Sequence, residues 1–277
     1  MDEDEIADVI RRFSRTAQLA EQAGFTGVEI HAAHGYLLSQ FLSPLSNKRT
    51  DRWGGSLENR ARLLLEIVRA VRTAVAPHFA VAVKLNSADF QRGGFDAADA
   101  QRVVEMLNAL PVDLIELSGG SYEAPAMQGE SRDGRTLARE AYFLEFASDI
   151  AKFASMPVMV TGGIRRRAVV EQVLDSGVAM AGIATAMAID PALPRAWRDG
   201  ADTHPQMPPI RWKRKPLAAL ATMAVVKFQM RQLSRGRAPN PGVSPLRALI
   251  VDQFNTLRMT KKYKAWMAGR ANPSPAA

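Results

Sequence analysis

Two patterns of apolar residues alternate along most of the chain, and together they predict alternating helices and strands. Stretches with apolar residues at helical spacing are each followed by a short, continuous apolar run. The predicted helices cover residues 6–23, 56–71, 96–107, 137–153 and 165–174, and the predicted strands cover residues 27–30, 80–85, 113–117, 157–160 and 179–184. Continuous apolar runs are typical of parallel strands that helices cover on both faces. The pattern therefore predicts an α/β fold with five parallel strands.

Polar residues and glycines in this region concentrate directly after the predicted strands. The segments that lead into the strands are short. Those that leave them carry several glycines and the polar residues His31, Tyr36, Lys84, Asn86, Ser118, Tyr122 and Thr161. In (β/α) barrels the active site is assembled at the carboxyl ends of the strands. This asymmetry indicates a barrel-type arrangement with a site at that edge.

The densest group of such residues is His31-Ala-Ala-His34-Gly-Tyr36, at the end of the first predicted strand. Two imidazoles and a phenol in one pocket can hold a carbonyl or enolate oxygen and deliver a proton. Two other interpretations are open: a zinc site, for which no third ligand lies nearby in the sequence, and a purely structural pair. We favour the binding or catalytic role and expect no metal.

A second charged segment, residues 47–60, reads Asn-Lys-Arg-Thr-Asp-Arg-Trp-Gly-Gly-Ser-Leu-Glu-Asn-Arg. Charged pairs here most simply fix a long loop and cap the next helix. We therefore interpret five residues of this segment as structural: Arg49, Asp51, Glu58, Asn59 and Arg60.

Lys84 lies inside a predicted interior strand, where an unpaired lysine is costly to bury. It therefore faces either an anionic ligand or an internal carboxylate such as Glu29 or Glu116. The sequence leaves both interpretations open.

Glycine-containing loops follow the last two predicted strands, at Thr161-Gly162-Gly163 and at Gly182-Ile-Ala-Thr185. In barrels, backbone amides in this region and the start of a short helix commonly hold a phosphate group. Tight turns alone would also explain the glycines. Their position after adjacent terminal strands favours the phosphate interpretation.

The composition and the end of the chain limit the remaining choices. Cysteine is absent, which excludes disulfides, thiolate metal sites and cysteine nucleophiles. The acidic start at residues 2–5 does not resemble a secretory signal, so we expect a cytoplasmic protein. A proline-rich linker after residue 203 leads to two predicted helices, 217–233 and 244–267. The predicted domains are therefore residues 1–203 and 204–277.

The net charge of +8 is distributed unevenly between these parts. Residues 210–277 contain 14 Lys and Arg against Asp252 alone, which gives +13, whereas residues 1–209 contain 22 basic and 27 acidic residues, which gives −5. A basic tail could meet nucleic acid, anionic lipid or an acidic protein. We favour a solvated basic face on terminal helices, and expect neither nucleic acid nor a membrane as partner.

With these motifs in place, the chain resembles the old yellow enzyme family, the FMN-dependent NADH:flavin oxidoreductases built on a (β/α)8 TIM barrel. The matching sequence segments are residues 23–44, residues 47–60, the strand with Lys84 and both glycine loops. In that family three βα units precede the helix and strand that open this chain. The resemblance therefore implies strands four to eight of an incomplete barrel with a C-terminal helical extension.

The resemblance also implies a reaction and residue roles. FMN would be the cofactor, NAD(P)H the reductant and a small activated alkene the substrate. His31 and His34 would hold the electron-withdrawing oxygen of the alkene, and Tyr36 would protonate its α-carbon. The implied FMN contacts are Lys84 at the N1 and O2 edge of the flavin, and Thr161, Gly162, Gly163, Gly182 and Thr185 around the phosphate, where many relatives have arginine in place of Thr185.

The sequence therefore leaves two main functions open. The first is an ene-reductase. The second is an inactive fragment or assembly subunit whose open sheet edge and basic helices bind a complementing chain or a second copy. A flavin-independent barrel enzyme acting on a sugar phosphate is a third interpretation, which the histidine pair fits poorly.

Overall fold

The computed structural model describes residues 1–119, 140–141 and 143–271. The chain divides into two compact units, Met1–Ile183 and Ala184–Ala277. The domain boundary that the linker predicts, at residue 203, stays a prediction.

The first unit is built around a five-stranded parallel sheet in which the strands follow one another in chain order. The strands are β1 (Gly27–Ala32), β2 (Ala80–Asn86), β3 (Leu114–Ser118), β4 (Val158–Val160) and β5 (Met180–Ala181). All five predicted strands are confirmed, although β5 is shorter than predicted. Parallel strands in sequential order with helical crossovers form the wall of a (β/α) barrel.

Six helices of the first unit lie in the described residues: α1 (Glu3–Gln22), α2 (Leu37–Leu42), α3 (Leu57–Ala74), α4 (Ala97–Leu107), α5 (Leu144–Ala151) and α6 (Arg167–Asp175). Side chains of Asp2, Ser56 and Asp96 accept backbone N–H groups at the starts of α1, α3 and α4. The predicted helices are therefore confirmed, except that α5 begins only at Leu144: residues 140, 141 and 143 of the predicted helix are described and are not helical, and Ala141 has φ 52°. Tyr122, and residues 137–139 and 142 of the helix predicted over 137–153, lie outside the described residues.

Helix α2 lies between two of the predicted elements, in a segment for which no helix was predicted. Leu38, Phe41 and Leu42 are buried, and their spacing is that of one helical face. The hydroxyl of Ser39 accepts the N–H of Gly35 at 3.2 Å. Burial of this short apolar stripe therefore turns the chain into a helix directly after Tyr36.

The two faces of the sheet differ in chemistry. One face is fully buried against the helices and contributes Ile30, Ala32, Val81, Val83, Leu85, Ile115, Leu117 and Val160. The opposite face carries Glu29, His31, Lys84 and Glu116, because side chains alternate along a strand. The polar residues of the strands are therefore gathered on the face that forms the inside of a barrel.

The second unit contains α7 (Thr185–Ile189), α8 (Leu193–Arg198), α9 (Lys215–Leu233) and α10 (Pro245–Ala271). Helices α9 and α10 pack against each other around Ala224, Val225, Val243 and Ala248. Asp252 of α10 forms ion pairs with Lys227 and Arg231 of α9. Both predicted C-terminal helices are confirmed, and none of the helices in the described residues is long and apolar enough to cross a bilayer.

Candidate active site

Three aromatic side chains meet where β1 ends. The ring centroids of His31 and His34 are 5.1 Å apart, and those of His31 and Tyr36 are also 5.1 Å apart. Both histidines are partly buried, whereas Tyr36 is 47% exposed. The structure therefore brings the three predicted catalytic residues together, with the phenol nearest to solvent.

The backbone adopts an unusual conformation at His34, in the turn that follows β1. His34 has φ 63° and Gly35 has φ 76°, so two consecutive residues lie in the left-handed region. This region is uncommon for a residue with a side chain, and such strain is often found at functional sites. The side-chain oxygen of Asn86, at the end of β2, accepts the N–H of His34 at 3.1 Å. Asn86 is buried and thus fixes the turn from the neighbouring strand.

The His34 ring is held from a third strand. Its Nε2 atom lies 2.8 Å from the hydroxyl oxygen of Ser118, the last residue of β3. Burial, the neighbouring His31 and the charge of Lys84 lower the pKa of His34 to about 4, against the opposing effect of Glu116. Burial and Lys84 also lower the pKa of His31. Both imidazoles are therefore neutral near pH 7.

Lys84 is paired inside the sheet. In the strand register His31 lies beside Lys84, and Lys84 lies beside Glu116. The Lys84 ammonium forms an ion pair with the Glu116 carboxylate, and the two side chains are 17% and 9% exposed. The interpretation of an internal carboxylate partner is confirmed. A contact between Lys84 and a flavin stays a prediction.

Glu29 extends this charged row on β1. Much of the residue is exposed, but desolvation of its carboxyl group, a hydrogen bond with Glu116 and the Glu116 charge raise its pKa to about 7. The Lys84 charge acts in the opposite direction. The Glu29 carboxyl group, beside the ion pair of Lys84 and Glu116, therefore stays partly protonated close to neutral pH.

The glycine loops after β4 and β5 lie side by side. The Thr161 hydroxyl donates to the carbonyl oxygen of Gly182 at 3.3 Å, and Gly162 and Gly163 have φ 130° and 68°. A side chain added at Gly182 would begin 3.2 Å from the Thr161 Cβ. The two loops thus present backbone without side chains, which fits close approach of a phosphate group.

The start of α6, which follows the first glycine loop, is already filled by an internal anion. The N–H groups of Arg165 and Arg166 donate to one carboxylate oxygen of Glu140 at 2.9 and 3.1 Å. The Arg166 guanidinium donates to the other oxygen at 2.8 Å, and the Glu140 side chain is fully buried. A phosphate at this edge would therefore use the glycine amides and not the start of this helix.

The glycine loops and the histidine pair lie at the same edge of the sheet, separated by its width. Measured along the curved sheet, the three strand spacings from β1 to β4 correspond to about 14 Å, which is an upper bound on the direct distance. This distance leaves room for an elongated ligand with a phosphate at one end and a ring system at the other. Thr185 lies in the second unit, at the start of α7, and its place beside the phosphate stays a prediction.

Residues 47–60 act as structural residues, as predicted. Asp51 accepts the N–H of Trp53 at 3.0 Å and pairs with Arg49. Arg60 is almost buried and donates to two backbone carbonyls and to Asp99. The segment therefore ties α2, the long loop and α4 to one another.

Three residues hold parts of the site without a role having been predicted for them: Asn86 and Ser118, which were expected at this edge only as polar residues, and Glu140, which was not singled out. Asn86 and Ser118 were visible as polar residues at the ends of predicted strands. Pairing of β2 with β3 places these two residues side by side, and only the strand register could have joined them to His34. Glu140 carries no local signal, since its partners are 25 and 26 residues away.

A family model and the similar curated proteins point to the same family. Residues 1–203 match the model of the NADH:flavin oxidoreductase / NADH oxidase family. The NADH-dependent flavin oxidoreductase iliE of Hypocrea jecorina (strain QM6a) is 42% identical over 197 residues, covering 69% of this chain and 49% of that protein. An NADH oxidase of Thermoanaerobacter brockii is 32% identical over 198 residues, covering 71% of this chain and 30% of that protein. The chain thus spans about half the length, or less, of these curated relatives.

Solved structures agree with this assignment. A 2-naphthoyl-CoA reductase complex superposes with a TM-score of 0.64 and 31% identity, covering 73% of this chain and 30% of that one. Morphinone reductase in complex with tetrahydroNAD gives 0.59 and 26%, covering 74% of this chain and 52% of that one. The five-stranded sheet is an incomplete (β/α)8 barrel, as predicted. The chain belongs to the NADH:flavin oxidoreductase / NADH oxidase family, which confirms its resemblance to the old yellow enzymes.

Proposed function

We propose that this chain carries the oxygen-binding and proton-donating residues of an FMN-dependent enzyme that uses NADH to reduce activated alkenes. The convergence of His31, His34 and Tyr36 at the end of β1 is the observation that carries the proposal. Membership of the family and the relative named as an NADH-dependent flavin oxidoreductase support the same reaction class.

The histidine pair suits recognition of a carbonyl oxygen. Their lowered pKa values keep both rings neutral, so each ring offers one N–H as a donor and does not surrender its proton to the oxygen. Two converging donors polarise a conjugated alkene and stabilise negative charge as it develops on the oxygen. The pair therefore acts by hydrogen bonding, while another group supplies the proton.

Tyr36 is that proton donor in the proposal. Its ring lies against His31 and is 47% exposed, so the phenol can give its proton to the α-carbon and regain one from solvent. The overall reaction takes one alkene, one NADH and one proton to the saturated product and NAD⁺. When bound, FMN supplies hydride transfer from NADH to the β-carbon.

The residues that would hold FMN fit the ends of that molecule. The amides of Gly162, Gly163 and Gly182 would bind the phosphate, and Lys84 would lie at the flavin edge. Because Lys84 is already paired with Glu116, its ammonium is fixed in position and its charge is partly balanced. Thr161 would support the phosphate end through its hydrogen bond to the Gly182 carbonyl.

The experiment begins with uptake of FMN. The purified chain is mixed with FMN, freed from excess and examined for flavin absorbance, and NADH oxidation is then followed without oxygen in the presence of an α,β-unsaturated ketone. We expect bound flavin and ketone-dependent turnover. Replacement of either histidine by alanine should lower kcat/KM for the ketone about 100-fold without changing flavin reduction by NADH. Turnover that is independent of both histidines contradicts the proposal.

A second candidate is a subunit that another chain completes. In the described part of the chain β1 pairs with β2 alone, which leaves the outer edge of β1 unpaired, and unpaired edges favour association. Light scattering after size-exclusion chromatography distinguishes the two. A compact, flavin-binding monomer supports the first candidate, and a stable oligomer or a chain that gains flavin only with a partner supports the second.

A further inference from the structure

We propose that Ser118 is a positioning residue for His34. In this assignment the Ser118 hydroxyl donates to Nε2 of His34, holds the ring as the Nδ1–H tautomer and makes Nδ1–H the group that His34 offers to the substrate oxygen. The use of that donor by a substrate rests on the proposed function. The tautomer itself is a property of this chain with or without a cofactor.

The contact is short and shielded from water. Nε2 of His34 and Oγ of Ser118 are 2.8 Å apart, and Ser118 is 2% exposed. Among the described residues, the hydrogen-bond partner of this hydroxyl is His34 alone. The backbone carbonyl of Ser118 accepts the N–H of Ser87 at 2.6 Å, so the serine is itself fixed at the end of β3.

The direction of the hydrogen bond follows from the need to satisfy a buried hydroxyl. A neutral imidazole has one N–H and one bare nitrogen. If Nε2 carried the proton, the Ser118 hydrogen would be left without an acceptor in a buried site, which is costly. Donation from Ser118 to a bare Nε2 satisfies both groups. The proton of the neutral His34 ring then resides on Nδ1.

The backbone of His34 is also held in place, which keeps the ring next to Ser118. The residue is locked at φ 63° and its N–H is held by Asn86 at 3.1 Å. Asn86 and Ser118 are neighbours in the register of β2 and β3, so adjacent positions on two strands hold the backbone and the ring. In the loop after β2, Oδ1 of Asp89 accepts a hydrogen bond from Nδ2 of Asn86 at 3.4 Å. His34 is therefore positioned from the sheet and not from its own loop.

Histidine side-chain NMR tests the assignment directly. The chain has four histidines, so long-range proton–nitrogen spectra of the ¹⁵N-labelled full chain can be assigned with single His→Gln variants. We expect His34 to show the Nδ1–H pattern at pH 7. Ser118→Ala should change that pattern to Nε2–H or to a mixture, and Ser118→Thr should preserve it.

Controls separate this effect from a general loss of structure. Ser43→Ala removes another buried serine hydroxyl, which accepts the N–H of Leu45 at 3.3 Å. This variant should leave the His34 signals unchanged. The signals of the exposed His78 should be the same in all variants. An Nε2–H pattern for His34 in the unmodified chain, or identical His34 patterns with and without the Ser118 hydroxyl, overturns the proposal.

A kinetic experiment tests whether the His34 tautomer matters for the proposed function. Its outcomes distinguish a failure of the proposed function from a failure of the positioning role. In the FMN-loaded chain, Ser118→Ala should lower kcat/KM for an unsaturated ketone about tenfold, the size expected for one hydrogen bond, with Ser118→Thr close to the unmodified chain. A chain that shows the expected tautomer but no turnover refutes the proposed function alone. Normal turnover in Ser118→Ala refutes the role of Ser118 in positioning.

Discussion

The ion pair between Lys84 and Glu116 gives a quantitative test of how the inner face of the sheet is organised. The two side chains are 17% and 9% exposed and belong to neighbouring strands. Glu116→Gln keeps the shape of the side chain but removes its charge, which leaves the Lys84 ammonium without its partner. The structure therefore predicts a loss of stability far larger than that for an exposed pair.

The magnitude follows from the burial of both groups. Breaking one half of a buried pair costs roughly 3–5 kcal/mol. Lys84 keeps some contact with solvent, and Glu29 can ionise and partly replace Glu116, so we expect about 2–3 kcal/mol for Glu116→Gln. Replacing both partners, as Lys84→Met with Glu116→Leu, should cost about 1 kcal/mol or less, because no charge is then left unpaired. If Lys84→Met and Glu116→Leu each cost about 2 kcal/mol alone, the coupling free energy, which is the sum of the single losses minus the loss in the double variant, should be about 3 kcal/mol.

Urea unfolding at pH 7 of the unmodified chain, Glu116→Gln, Lys84→Met, Glu116→Leu and the double variant measures these losses and the coupling. Trp53 is 1% exposed in the first unit, so its fluorescence reports on that unit once the other three tryptophans are replaced by phenylalanine. The matched control is the exposed pair of Lys152 with Asp149, for which we expect a coupling below about 0.5 kcal/mol. Equal couplings for the two pairs would refute the assignment of Lys84 to the interior.

Three further predictions concern stability and titration. Arg60→Met should destabilise the first unit by about 2–4 kcal/mol in the same assay, because it leaves Asp99 and two backbone carbonyls without their donor; a change below 0.5 kcal/mol contradicts this role. The raised pKa of Glu29 implies a stabilising contribution that is present below pH 4.5 and lost as the pH rises through about 7, so Glu29→Gln should remove that part of the pH dependence of unfolding. The lowered pKa of His34 acts in the opposite sense: its contribution is present above pH 6.5 and is lost as the pH falls through about 4. An NMR titration of His34 with a midpoint above 6 would contradict its burial.

Much of the fold could be predicted because the hydrophobic pattern is local. Continuous apolar runs marked the five strands, and capping residues such as Ser56 and Asp96 marked helix starts. Helix α2 was missed although Leu38, Phe41 and Leu42 follow helical spacing. That apolar stripe is short, and the polar residues on both sides of it gave the segment the composition of a loop.

The site was predictable only as far as its residues are neighbours in sequence. His31, His34 and Tyr36 lie within six residues, so one strand end was enough to group them. The Ser118 contact to His34 joins positions 84 residues apart, and it depends on strand register, which the sequence pattern does not supply. The choice of Glu116 as the partner of Lys84 required the same register.

The glycine loops and the start of α6 were both possible phosphate sites by the general barrel pattern, but only the loops are open to a phosphate. Gly162, Gly163 and Gly182 were singled out for a phosphate, and the structure brings their loops together. The start of α6, which the general barrel pattern also offers to a phosphate, holds the Glu140 carboxylate. An internal carboxylate can fill an anion site as well as a ligand can, and only the tertiary structure distinguishes the two.

Reduction of an alkene in D₂O shows whether Tyr36 donates a proton to a substrate held by His31 and His34. The FMN-loaded chain reduces an α,β-unsaturated ketone with NADH in D₂O without oxygen, and the product is examined by NMR and mass spectrometry. We expect deuterium at the α-carbon, protium at the β-carbon, and a loss of about 100-fold in the rate of ketone reduction in Tyr36→Phe, with flavin reduction by NADH unchanged. A chain that takes up no FMN, or a Tyr36→Phe variant that forms the same product at an undiminished rate, would contradict the account.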